Sequence, residues 1–137
     1  MSLFDLTVLF QHPDHDENIR LIFDRMDHIN KNNKYPPYNI RIENSKIYII
    51  EIAVAGFKEE ELSVSLDNNH LYIKSLKVAE RKNKQYLHKG IAYRNFEKVF
   101  KLGNNINIEK CYLNKGILNI PLHIETPYNT KPKNIKI

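Results

Sequence analysis

Between Tyr38 and Ile124, apolar residues recur at every second position in short runs, and residues that favour turns separate the runs. Ile40 and Ile42 alternate with Asn39, Arg41 and Glu43, as expected of a strand whose successive side chains point to opposite faces. In the run KIYIIEIAVA that follows Asn44-Ser45, Tyr48, Ile50, Ile52 and Val54 share one side, while Ile47 and Ile49 stand on the other. Such a strand is expected to be covered on both faces. Gly56 and the charged stretch Lys58 to Glu61 break the run. Leu62, Val64 and Leu66 then alternate cleanly with Ser63 and Ser65. Asp67-Asn68-Asn69 reads as a hairpin turn, because Asn and Asp tolerate left-handed backbone. Leu71 and Ile73 continue on one face, opposite Tyr72 and Lys74.

Further on, Phe96, Phe100 and Leu102 share a strand face with Lys98 among them. Cys111 and Leu113 mark a short strand, Asn114-Lys115-Gly116 a tight hairpin, and Leu118, Ile120 and Leu122 a last strand. Short strands spaced by turns predict an all-β, immunoglobulin-like antiparallel sandwich over residues 37–124. Val78 to Lys89 is long and charged; it reads as an extended loop with a short strand near Tyr86 to His88. Residues 1–36 read as an arm with an amphipathic helix at about 14–29. Asp14 and Glu17 would form a capping box there, and Ile19, Ile22, Phe23, Met26 and Ile29 one apolar face. Residues 125–137 form an extension with no periodicity until Ile135-Lys136-Ile137.

Composition narrows the function. A single cysteine, Cys111, precludes an internal disulfide and fits a reducing, cytoplasmic location. No apolar run has the ~18–20 residues needed to span a bilayer, and the apolar start lacks the basic region of a secretory signal. The net charge of +5 is concentrated between Lys74 and Lys101, where nine basic residues face two acids. That stretch also holds Tyr86, Tyr93 and Phe96, so a basic β-sandwich that binds nucleic acid is the alternative reading. Lysines on solvated strand faces and edges are the simpler account, so nucleic acid is not the expected partner.

Catalysis has little support. The four glycines are isolated, so no phosphate-cradling loop is present, and no serine sits in a nucleophile elbow. Cys111 lies on a strand without a nucleophile signature. His12, Asp14, His15 and Asp16 read as a polar helix start rather than a metal site, since their spacing matches none. No enzyme activity, cofactor or metal is expected.

Four stretches together carry a resemblance. AVAGFKEEELSVSLDNNHLYIKS, GIAYRNFEKVFKL, CYLNKGILNI and the final Ile-Lys-Ile stand in the order and spacing of the α-crystallin domain of the small heat-shock proteins. The second stretch most resembles the bacterial inclusion-body-binding class. Three positions depart from the pattern: Cys111 replaces alanine, Lys115 replaces the asparagine before the turn glycine, and Lys98 stands where relatives often carry arginine. Lysine offers a point charge where arginine would offer a bidentate fork.

The resemblance implies an ATP-independent holdase built from dimers. Dimers would form by strand exchange, with Tyr86, Leu87 and His88 of one copy pairing with Tyr38, Ile40 and Ile42 of another, and Arg94 and Lys98 nearby. Ile135 and Ile137 would lie in a groove of Leu62, Val64, Leu66, Cys111 and Leu113 on a neighbouring dimer. Ile135 stands eleven steps beyond Ile124, enough to reach roughly 36 Å. Client binding is assigned to apolar residues expected on exposed surface: Phe4, Leu6, Leu9 and Phe10 in the arm, and Ile19, Ile22, Phe23 and Met26 on the helix. Partly unfolded proteins would be the clients, and ATP-dependent chaperones would take them over for release.

Overall fold

The computed structural model describes residues 2–7, 25, 35–76, 85–91 and 94–125. The expected helix at 14–29, apart from Arg25, and the tail with Ile135 and Ile137 lie outside them, as do Leu9 and Phe10.

Two sheets face each other across one core. The first contains β1 (Ser2–Asp5), β4 (Leu62–Asp67), β5 (His70–Ser75) and β6 (Glu97–Lys101), in the order β1-β6-β5-β4. The second contains β2 (Tyr38–Asn44), β3 (Ile47–Ala53), β7 (Ile106–Ile108), β8 (Tyr112–Asn114) and β9 (Ile117–Ile124). Its order is β2-β3-β9, with β7 and β8 pairing in turn along the far edge of β9.

The period-2 pattern places the core as expected. Ile50, Ile52 and Val54 of β3 meet Leu118, Ile120 and Leu122 of β9, and Leu71 and Ile73 of β5 join Phe96, Phe100 and Leu102. Ile49, on the opposite face of β3 from Ile50, is also buried, so that strand is covered on both faces. Both expected hairpins form. Asn68 and Asn69 adopt positive φ between the paired Asp67 and His70, and Lys115 and Gly116 do so between Asn114 and Ile117. Two central residues with φ > 0 match the right-handed twist of the strands they join.

The structure differs from the strand-by-strand expectation in detail. The sandwich is not wholly antiparallel: β1 runs parallel to β6, pairing Ser2 with Lys98 and Phe4 with Phe100. Ser2–Asp5 thus form an edge strand of the first sheet. Tyr86 to His88 form no strand within the single chain. Ile106–Ile108 form an additional short strand, and Cys111 precedes β8 instead of lying within it.

Candidate interaction surfaces

The expected site residues among those described fall at three places in the fold. The first lies along β4 and β8. Each is the last strand of its sheet among the described residues, so each carries unpaired backbone groups on its outer side. Leu62, Val64, Cys111 and Leu113 are half-buried and pack against the common core. Leu66, at the far end of β4, is exposed. Leu62, Val64, Cys111 and Leu113 thus each keep part of an apolar side chain in solvent, and Leu66 more of its own. Burial pushes the Cys111 thiol up from its ordinary value, which keeps it protonated at neutral pH. Its Sγ lies 3.7 Å from the Glu109 carbonyl oxygen, a weak hydrogen bond.

The second surface is the free edge of β2. Ile42 is exposed, and the outer side of β2 has no strand beside it among the described residues. Toward β3, Arg41 Nε donates to Glu51 Oε2 at 3.1 Å and its Nη1 to Glu43 Oε1 at 3.3 Å; these bonds raise the guanidinium pKa further. Within the loop, Tyr86, Leu87 and Ile91 are exposed, Leu87 completely so at 106%. Large apolar side chains held in water are what a partner would cover. Arg94 is anchored within its own chain: its guanidinium carbon sits 4.6 Å from the centre of the Tyr35 ring, and its backbone N–H donates to the Tyr35 hydroxyl at 3.5 Å. Tyr35 in turn meets Phe96 edge-on, and Phe96 meets Phe57.

The third surface was not anticipated. Phe4 is 1% exposed and Leu6 is 0%, so neither is free surface for a client. Phe4 enters between Tyr38 and Phe100, with ring centres 5.2 and 5.4 Å away. Tyr38 therefore turns its ring into the sandwich, although its backbone belongs to the edge strand β2. Lys98 is 1% exposed, and its Nζ lies 4.5 Å from the centre of the Phe4 ring and 4.9 Å from that of Tyr38. An ammonium over two aromatic faces replaces part of its hydration with attraction to the ring quadrupoles. Within the single chain Lys98 is thus a buried group, withdrawn from any basic surface offered to nucleic acid.

A turn closes β1. The Asp5 carboxylate accepts hydrogen bonds from the Thr7 backbone N–H at 3.0 Å and from the Thr7 hydroxyl, and the Leu6 N–H donates to the Lys101 carbonyl at 2.9 Å. Burial alone would raise the Asp5 pKa, but the bonds from Thr7 and the nearby Lys101 and His70 outweigh it and hold the carboxyl below 3.8. Phe4 could have been assigned to the interior from sequence only by pairing residue 4 with residue 100, and alternation carries no such information.

Comparison with known proteins agrees with these features. The sequence pattern of the Hsp20/alpha crystallin family matches residues 40–137. The small heat shock protein IbpA of Klebsiella pneumoniae is 38% identical over 143 aligned positions, covering the whole chain and 99% of that protein. IbpA of Salmonella typhimurium is similar to the same degree. Among solved structures, the C-terminally truncated small heat shock protein AgsA from Salmonella typhimurium matches with a TM-score of 0.62 and 28% identity, over 74% of this chain and 98% of that one. A small heat shock protein from Synechococcus phage S-ShM2 matches at 0.59 and 34%, over 75% of this chain and 99% of that one. The chain belongs to the Hsp20/α-crystallin family, the small heat-shock proteins, and its role is that of a chaperone.

Proposed function

We propose that this chaperone is an ATP-independent holdase, working as dimers assembled into larger oligomers in the cytoplasm. It binds partly unfolded proteins, limits their aggregation, and leaves release to ATP-dependent chaperones. The observation that carries this reading is the set of half-buried apolar side chains, Leu62, Val64, Cys111 and Leu113, on or beside strands whose outer edges are open among the described residues. Open edges and apolar rows are what aggregating chains use to find one another. A protein that presents them in a stable fold can occupy the same features on a client without consuming nucleotide.

Assembly follows from the same surfaces. The edge of β2 is the acceptor for the partner's Tyr86 to His88, and the exposure of Leu87 supports that pairing. Ile135 and Ile137 fill the β4–β8 row of a neighbouring dimer. Burying two isoleucines contributes about 3–6 kcal/mol before ordering costs, so single contacts are exchangeable and many together give avidity. When a tail leaves, the row is open to a client. Leu9, Phe10, Ile19, Ile22, Phe23 and Met26 add apolar surface from the N-terminal region. The test is light scattering from a heated client protein in the absence of nucleotide. An equimolar amount of this chain should suppress the signal, and an unchanged signal would reject the holdase reading.

A further inference from the structure

The edge of β6 is occupied by a short strand of the chain's own N-terminus, and the details of that occupancy describe what else would fit. β1 is four residues long, and among the described residues only β6 pairs with it. Beyond the backbone pairing, it is anchored by Phe4 between Tyr38 and Phe100 and by Leu6, two positions on. The pocket is selective as well as apolar. The Nζ of Lys98 lies against both the Phe4 and Tyr38 rings, so an aliphatic side chain in place of Phe4 would remove one of two π faces from a buried ammonium.

We propose that the β6 edge, with the Tyr38, Phe100 and Lys98 pocket beside it, is an acceptor for extended client segments. Such segments carry an aromatic residue two positions before an aliphatic one, and Ser2–Thr7 is the resident occupant. The proposal rests on the chaperone reading and adds to it a site and a sequence preference. Extended segments of unfolded chains bind open sheet edges by strand addition, in which backbone hydrogen bonds give affinity and pockets for alternate side chains give specificity. A four-residue edge strand is the kind of element that opens locally while the rest of the sandwich stays folded. The N-terminal strand is then a removable cover, and Lys98 determines which replacements are accepted. The site is separate from the β4–β8 row, because β1 and β4 lie on opposite edges of the same sheet.

The test uses the full chain, wild type and Phe4→Ala, with two labelled peptides: Ser-Leu-Phe-Asp-Leu-Thr and the same peptide with leucine in place of phenylalanine. A tethered resident competes at high effective concentration, so removing its anchor should tighten binding of the phenylalanine peptide by about tenfold or more over wild type. The leucine peptide should bind Phe4→Ala several-fold more weakly, and adding Lys98→Met should erase that difference. A photoreactive phenylalanine analogue in the peptide should cross-link to Tyr38 or Phe100. Equal affinity for the two peptides, cross-links to β4 or β8, or no binding to Phe4→Ala would overturn the proposal. Should circular dichroism show Phe4→Ala unfolded, cross-linking of excess peptide to the wild-type chain decides: Tyr38 or Phe100 supports the site, and any other result rejects it. Suppression of client aggregation by the wild-type chain with no peptide at β6 would reject this site alone and leave the chaperone reading standing.

Discussion

Lys98 and Phe4 meet inside the sandwich, the lysine Nζ 4.5 Å from the centre of the phenylalanine ring, although the sequence separates them by most of the folded domain. The contact couples the N-terminal strand to the centre of the first sheet. A double-mutant cycle measures it. Phe4→Leu should destabilise the wild type more than it destabilises Lys98→Met, with a coupling of about 0.5–2 kcal/mol in urea denaturation. A coupling indistinguishable from zero would mean that the ring and the ammonium are merely neighbours.

Asp5 makes the docking of β1 sensitive to acid. Its carboxyl pKa is held below 3.8 in the folded chain, because the bonds from Thr7 and the charges of Lys101 and His70 outweigh burial. A carboxyl depressed on folding adds stability above its unfolded pKa and loses it as pH falls through the lower folded value. Wild-type stability should therefore fall more steeply than that of Asp5→Asn as the pH drops below about 5. Parallel pH profiles for the two proteins would show that the turn at Asp5 carries no stabilising charge.

The β8–β9 hairpin holds a correctable cost. Lys115 adopts φ 53°, a left-handed conformation that asparagine reaches with less strain. Lys115→Asn should raise stability by a few tenths to about 1 kcal/mol, seen as a higher melting temperature. Gly116→Ala should do the reverse. Gly116 has φ 79°, and an added Cβ would stand 3.2 Å from the Ala55 Cβ and 3.3 Å from the Ala55 backbone. A loss of about 1–2 kcal/mol is expected from the backbone conformation alone.

Assembly through the tail is tested by native mass spectrometry of the full chain beside a truncation ending at Asn134. The truncated chain should lose large oligomers and keep dimers, because the edge of β2 and the loop near Leu87 are untouched. Ile135→Ser with Ile137→Ser should behave likewise. Oligomers of unchanged size would remove the tail from the account.

The core and both hairpins were legible in the sequence, because they depend on alternation and on left-handed backbone at Asn68, Asn69, Lys115 and Gly116, all local properties. The half-burial of Leu62, Val64 and Leu113 was legible for the same reason, since alternation sets which face of a strand meets the core. The place of Phe4 and Leu6 was not. Their burial depends on a parallel pairing with β6 that spans nearly the whole domain, and an apolar chain start looks the same whether it is docked or exposed. Alternation placed Lys98 on the face of Phe96, Phe100 and Leu102, but not the Phe4 and Tyr38 rings that meet its ammonium there. A short strand at Tyr86 to His88 was expected from the pattern, and those residues form none within the single chain.

The central claim is that this protein holds unfolded chains in soluble form without nucleotide. A client heated with it, in buffer depleted of ATP and then centrifuged, tests that claim most directly. Client and chaperone should remain together in the supernatant and elute as one large species on size-exclusion chromatography. A client that pellets alone, leaving this chain behind at its original elution volume, would contradict the account.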